Sequence, residues 1–384
     1  MIKSPAISAR SARFLLLAAI VLPAAACSPV GDGGEEAVAP SLEERIEEVA
    51  EKVTDELSAE AQWLDDRFFE IGSTFDGYLG IAMTDMQTGE VVHFNGEEAL
   101  PQQSLSKLWV ALAAFDQADD GKLGLEDRAT VTFSDLTVFH QPLRKQVVAN
   151  GSFTTDYADY IRRALTESDN TANDMVLKAV GGPDAVRAVL RRKGLEGIRF
   201  GPGERRMQAA IAGLEWDQRY SVGKTFFEVR DEVPDAVRKP AFDAYVADPV
   251  DGAQPVAIAS ALAKLANGEL LSRGSTDAYL SLLDDVKSGP NRLKGGLPPE
   301  WSIGHKTGTG QVFDPKPVGG PAEQAGYNDV GILTAPDGKR YSVAVMIGRT
   351  ARPVPERMDL MHEVVGAIAA YHGRVTGGTS ESAS

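Results

Sequence analysis

Strand-like segments stand near both ends of this chain, and a long run of helix-forming sequence separates them. Two short apolar stretches, near Tyr78–Thr84 and Val91–Asn95, flank the turn Met86-Gln87-Thr88-Gly89. Three more lie at Trp301–Lys306, Asp329–Thr334 and Tyr341–Ile347, with Pro336-Asp337-Gly338 as the turn between the last two. Between these groups, Ser104 to about Gly181 reads as mostly helical, a loop-rich section follows, and residues 255–287 read as helical again. Distant strands can share a sheet only if the residues between them fold out as a separate lobe. The expectation is an α/β fold of the α+β type. A five-stranded antiparallel sheet flanked by helices would come from residues 61–100 and 255–372, and an all-helical lobe from residues 101–254. The cleft between two lobes is a common place for a site. A terminal helix over roughly Pro355–Tyr371 leads to a polar tail, residues 373–384, expected to be disordered.

The N-terminus carries an export pattern. Lys3, Arg10 and Arg13 precede the apolar run Phe14–Leu22, and Pro23-Ala24-Ala25-Ala26-Cys27 follows. A charged start, a short apolar stretch and small residues before the cut make a signal peptide over residues 1–26. The run is too short to span a bilayer comfortably. Three alanines suit an ordinary signal peptidase, but Cys27 is the only cysteine of the chain and sits at the cut a lipoprotein signal would use. Ala24 departs from the usual leucine of that signal. The preferred reading is a lipidated Cys27, hence an exported, periplasmic protein anchored to the membrane. Residues 27–60 then form a tether and spacer. Residues 28–40 are rich in Gly, Pro and acids, and Leu42, Ile46, Val49, Val53 and Leu57 mark a helical stripe within residues 42–72.

Charge removes several function classes. The net charge of −16 leaves no basic face for nucleic-acid phosphates and no basic patch for anionic lipid. One cysteine excludes an internal disulfide. The five histidines show no metal-ligand spacing, so neither metal nor cofactor is expected.

Chemistry-bearing residues gather in three short motifs. Ser104-Leu105-Ser106-Lys107 sets a hydroxyl and an amine three residues apart, on one face of a helix. Such a pair can activate a serine without histidine. A pattern this short arises by chance about once in a chain of this length, and Ser221-Val222-Gly223-Lys224 also fits it. Context separates the two copies. Ser104 follows Pro101-Gln102-Gln103 and opens the apolar run Leu108–Leu112, so helix N–H groups and the positive dipole end lie beside it. The second copy holds a glycine and lies in an irregular stretch. Gly223-Lys224-Thr225 also resembles the end of a phosphate loop, but that motif's first glycine would fall on Gln218. Ser168-Asp169-Asn170 alone could be a capped turn, and Lys306-Thr307-Gly308-Thr309 an ordinary strand edge. All three together, in this order, point to attack of a serine on a cyclic amide.

With these motifs the chain resembles the class A serine β-lactamases, from about residue 60 to 372. Glu204, 36 residues after Ser168, and Tyr327-Asn328-Asp329-Val330-Gly331 extend the likeness. The resemblance implies the serine β-lactamase and penicillin-binding-protein fold, a monomer, a β-lactam substrate and a set of roles. Ser104 is the nucleophile, and Lys107 and Glu204 are the candidate bases. Ser168 relays a proton to the departing nitrogen. Asn170 binds the substrate's side-chain amide. Lys306, Thr307, Gly308 and Thr309 line the carboxylate site, and the N–H groups of Ser104 and Thr309 form the oxyanion hole. Glu204, on an Ω-loop, would activate the water that clears the acyl-enzyme.

The sequence departs from the family pattern in several places. Asp174 stands where an asparagine usually braces the Ω-loop. A second buried carboxylate would raise the pKa of Glu204. An extended-spectrum, PER-like sub-branch shares that aspartate and the run from His305 to Thr309. Gln208 replaces an asparagine that helps hold the water. Ser342 replaces a common arginine on the last strand, and Arg349 is the expected substitute. His140 falls near an aromatic gatekeeper position. Residues 213–250 and 311–327 are insertions expected at the cleft rim. A β-lactamase is the leading reading. The alternatives are a penicillin-binding D-alanyl-D-alanine peptidase or transpeptidase, which shares the motifs but keeps its adduct, and a non-catalytic envelope lipoprotein of the same fold.

Overall fold

The computed structural model describes residues 57–315 and 320–377. The export pattern, Cys27 and most of the stripe from Leu42 to Val53 lie outside the described residues. Helix α1 (Ala59–Thr74) starts at Ser58, whose hydroxyl accepts from the Ala61 N–H. Strands β1 (Tyr78–Asp85) and β2 (Val91–Phe94) follow as a hairpin. A short strand β3 (Leu100–Pro101) leads into a single 3-10 turn, Gln103–Ser106, and helix α2 (Lys107–Asp119).

The middle of the chain departs from expectation twice. The stretch expected to be helical from Ser104 to Gly181 contains a two-stranded ladder, β4 (Arg128–Thr132) with β5 (Ser152–Asp156). Its helices are α2 together with α3 (Arg144–Asn150), α4 (Tyr157–Thr166) and α5 (Asn170–Ala179). Alternating threonines favour an exposed ladder over another helical turn. The section expected to be loop-rich holds four helices: α6 (Pro183–Arg192), α7 (Glu204–Ile211), α8 (Thr225–Glu232) and α9 (Asp235–Ala247). Glycine and proline at their margins, and Pro240 inside α9, hide their periodicity. A two-residue strand β6 (Gly252–Ala253) pairs with β3, then α10 (Pro255–Ala266) and α11 (Arg273–Asp284) follow.

Strand β7 (Ser302–Thr309), the small hairpin β8 (Val312–Phe313) with β9 (Glu323–Gln324), and strands β10 (Tyr327–Thr334) and β11 (Arg340–Arg349) complete the sheets. Helix α12 (Val354–Gly377) runs past Tyr371 into the stretch expected to be tail. The main sheet has five antiparallel strands in the order β2-β1-β11-β10-β7. Residue alternation divides its side chains between two cores. Leu79, Ile81, Met83, Val343, Val345 and Ile347 face α1 and α12. Ala82, Ala344, Met346, Val330 and Ile332 face α10 and the helical lobe. Gly308 lets β7 lie flush on the chain before Ser104, since a Cβ there would come within 2.4 Å of the Gln102 carbonyl oxygen. That close approach sets the two motif-bearing segments side by side.

Candidate active site

Ser104 lies on the 3-10 turn, one residue after Gln103 and at the mouth of α2. Buried Leu105 and Leu108 anchor the turn. Gln103 holds a left-handed backbone with φ of 55°, a costly conformation for a residue with a Cβ. Its neighbours hold it there. The Gln103 N–H donates to Asp251 Oδ2 at 2.8 Å, and Gln103 Nε2 donates to the Tyr245 hydroxyl at 2.6 Å, which donates to Asp251 Oδ1 at 2.9 Å.

Lys107 Nζ donates to Ser104 Oγ at 2.7 Å. The lysine is 1 % exposed. Burial pushes its pKa down, while the charges of Glu204, Asp174 and Asp169 oppose the shift. Lys306 is also buried, and its Nζ donates to Ser168 Oγ at 3.0 Å and to the Thr307 carbonyl at 2.9 Å. Burial, then the charge of Lys107, holds Lys306 well below the usual lysine range. Each ammonium thus faces one hydroxyl, with a carboxylate near enough to act on both.

Ser168 sits in the turn between α4 and α5 with φ of 57°. Asp169 caps α5 by accepting from the Ala172 N–H at 2.9 Å and ties the turn to α3's approach by accepting from the Leu143 N–H at 2.7 Å. Asn170 Nδ2 donates to the Val138 carbonyl at 2.8 Å and to Glu204 Oε1 at 3.0 Å. Both amide hydrogens are then spent within the protein, so its carbonyl oxygen is the group left for a ligand. Glu204, expected in a loop, opens α7 after Gly203, whose φ of 95° makes the turn. It is nearly buried, and the helix N-terminus favours its charge.

Asp174 lies one turn along α5 from Asn170. Burial, then the Glu204 charge, pushes the Asp174 carboxyl up to about 7. Arg205 is its nearest cation, at 3.7 Å. Gln208 also differs from expectation. Its Nε2 donates to Gln103 Oε1 at 2.7 Å, and its Oε1 accepts from Gln311 Nε2 at 2.9 Å. The longer arm carries the amide to the turn of Ser104 and to the segment after β7, where it braces both.

Thr307 and Thr309 on β7 face the cleft. Thr307 Oγ1 lies 2.6 Å from Ser288 Oγ, and Thr309 Oγ1 accepts from Arg292 Nη2 at 2.6 Å. Arg292 Nη1 also donates to the carbonyls of Gly308 and Asn328, and its guanidinium lies 3.8 Å from the centre of the Tyr327 ring. This arginine stands where Arg349 was expected. Arg349 pairs with Glu323 at 2.5 Å and with Asp243 at 3.1 Å, away from the cleft. No sequence pattern marks Arg292, which follows the unpatterned loop Ser288-Gly289-Pro290-Asn291. His140 Nε2 bonds the Glu167 carbonyl at 2.9 Å, and its ring lines the cleft.

The cleft has a volume of about 500 Å³. Ser104, Ser168, Asn170, Glu204, Thr307 and Thr309 line its inner part. Phe139, His140, Phe227, Arg230, Gln311 and Val312 line its outer part, and four of these six come from the two insertions. Ser221, from the second serine-lysine pattern, has another use: its buried hydroxyl donates to the Gln218 carbonyl at 2.7 Å, closing a turn. Among the described residues, no group of three or more His, Cys, Asp or Glu is placed to hold a metal ion.

A serine touched by a buried amine, a second amine on a second serine, and a carboxylate across the cleft are the groups a serine hydrolase site needs. The sequence model of the beta-lactamase enzyme family matches residues 64–371. Beta-lactamase VEB-1 of Pseudomonas aeruginosa is 26% identical over 291 residues, covering 76% of this chain and 83% of that protein. The imipenem-hydrolyzing beta-lactamase of Enterobacter cloacae is 26% identical over 245 residues, 64% of this chain and 71% of that one. A solved β-lactamase from Chitinophaga pinensis superposes with a TM-score of 0.65 at 25% identity, covering 80% of this chain and 99% of the other. The TLA-3 extended-spectrum β-lactamase shares the fold with the same TM-score at 23% identity, covering 80% of this chain and 98% of its own. The chain belongs to the beta-lactamase enzyme family, as a class A serine β-lactamase that hydrolyses the amide bond of β-lactams.

Proposed function

We propose that hydrolysis runs through an acyl-enzyme on Ser104 that water, activated by Glu204, then clears. The observation that carries this is the 2.7 Å bond from Lys107 Nζ to Ser104 Oγ, in a cleft that Glu204 also lines. A serine hydroxyl is a weak nucleophile until a base takes its proton. Lys107, its pKa lowered by burial, is one base in reach, and Glu204 acting through water is the other. The Ser104 oxygen bonds to the lactam carbonyl carbon, and the N–H groups of Ser104 and Thr309 receive the oxyanion. Ser168, held by Lys306, passes a proton to the ring nitrogen as the C–N bond breaks. Thr307, Thr309 and Arg292 take the substrate's carboxylate, and the Asn170 carbonyl oxygen accepts from its side-chain amide N–H. Water deprotonated by Glu204 then attacks the ester and frees Ser104.

The exported, lipid-anchored state belongs to the same proposal and rests on the pattern around Cys27, while the monomeric state rests on the family resemblance. Intact-mass spectra of the protein mixed with benzylpenicillin test the chemistry. The wild type is expected to show a transient adduct and full turnover, and Glu204→Gln a lasting adduct on Ser104. A lasting adduct on the wild type would point to a penicillin-binding peptidase, and no adduct on either protein would remove the acyl-enzyme.

A further inference from the structure

The outer wall of the cleft holds a cation that the proposed reaction does not use. Arg230 lies on α8, within the insertion, and lines the cleft beside Phe227. Its side chain is 17% exposed, and its Nε is buried without a hydrogen-bond partner. Asp231 approaches Nη2 at 3.5 Å, a long contact to a carboxylate that is half in water. The guanidinium sits 5.2 Å from the centre of the Phe227 ring. Burial lowers its pKa, and the Arg238 charge adds to the effect while Asp231 opposes it.

A poorly hydrated guanidinium with a buried unused donor favours an anion at hydrogen-bond distance. The protein does not supply one from within the cleft. Glu167, which also lines it, is paired with Arg162 at 3.1 Å and lies 3.9 Å from Arg163. Glu204 accepts from Asn170. The other cationic group of the cleft, Lys306 with Arg292 behind Thr309, belongs to β7 and its neighbours. Arg230 is on the insertion-built wall, among Phe139, Phe227 and Val312. A recess of about 310 Å³ continues past Phe139 and Phe227 to Tyr220 and Phe226. A ligand lying along this wall would press apolar atoms on the aromatic rings and bring an acidic end to Arg230.

We propose that Arg230 and the aromatic wall around it form a subsite for a carboxylate on the substrate's acyl side chain, so that this enzyme favours β-lactams acidic at both ends. The subsite is filled by the acylamino side chain, which stays joined to the opened ring while the acyl-enzyme lasts. It rests on the acyl-enzyme reading above, in which Thr307, Thr309 and Arg292 take the ring carboxylate.

The test uses one cephalosporin with a carboxymethyl-oxyimino side chain and its methyl ester, which differ only in that charge. On full-length protein, the ratio of kcat/KM for the acid over the ester is expected to exceed one, mainly through KM. It should fall about tenfold in Arg230→Gln and shrink in high salt. Arg230→Lys should keep part of the preference, and Arg230→Glu should invert it. Because each ratio is taken on one protein, loss of folded enzyme cancels. If both substrates turn over and the ratio is near one, or is the same in Arg230→Gln, the subsite is overturned while the acyl-enzyme reading stands. If the wild type hydrolyses neither but turns over benzylpenicillin, the subsite is overturned while the acyl-enzyme reading stands; if it forms no adduct with benzylpenicillin either, the acyl-enzyme reading fails and the subsite with it.

Discussion

The inner and outer walls of the cleft are built in different ways. The inner wall is the turn with Ser104, the turn with Ser168, and β7. Its two lysines are buried, at most 1 % exposed, and each is bonded to one of its half-buried serines. Its backbone is held in forms a free chain avoids, as at Gln103 and Ser168. The outer wall comes largely from the insertions. Its aromatic rings pack in a small satellite cluster, Val138, Ala212 and Phe226 with Phe139, Trp216 and Tyr220, apart from the two main cores. A wall that carries charge transfer tolerates little change, because a displacement of about 1 Å costs rate steeply. A wall resting on its own cluster can change to suit a substrate without disturbing the chemistry. The two walls still meet in one buried network, where Gln103 joins Gln208, Tyr245 and Asp251, and Gln311 closes on Gln208.

The largest expected break in this contrast is at Lys107. Lys107→Ala should cut kcat/KM for benzylpenicillin by at least about 1000-fold, as loss of a member of a catalytic unit does, and steady-state kinetics would show it. A loss under tenfold would remove the inner wall from the chemistry. Next comes the pair of arginines. Arg292→Ala should raise KM and lower kcat/KM by about 10- to 100-fold, the worth of a charge-assisted bond of 1.5–3 kcal/mol. Arg349→Ala should change kcat/KM by less than about twofold, because its partners are Glu323 and Asp243. Equal losses in the two would mean that the carboxylate is held by neither in particular.

The last effect is on stability, not on rate, and concerns Asp174. Its carboxyl, raised to about 7 in the fold, keeps a proton that the unfolded chain releases near pH 4. The folded protein therefore binds more protons in that window, and stability falls as pH rises from about 4 to 7. Asp174→Asn should flatten the fall and be the more stable protein at pH 8, by up to a few kcal/mol at about 1.4 kcal/mol per pKa unit. Urea unfolding at pH 4, 6 and 8 would measure it. A difference from wild type that is constant with pH would place the proton elsewhere.

Much of the sheet was legible from local pattern. Strands β1, β10 and β11 are apolar runs ended by clear turns, and the structure extends their bounds by one to three residues. The ladder of β4 and β5 was not legible, because RATVT and SFTTD are polar and lie within helix-rich sequence. Helices α8 and α9 were hidden by the Gly and Pro around them. At the site, Ser104 and Lys107 could be read together because helical spacing alone puts them on one face. Ser168 and Lys306 could be paired only through the family pattern, since 138 residues separate them.

The residues on their own determined which groups this protein can use: a serine with an amine one turn away, a second such pair split across the chain, and a carboxylate downstream. Those are matters of side-chain chemistry and of spacing within one element. Only the tertiary structure decided which arginine stands behind Thr309, how far burial raises the Asp174 carboxyl, and where Gln208 spends its amide. Each depends on burial and on partners from distant segments, and such terms exist only once the chain has closed the cleft around them.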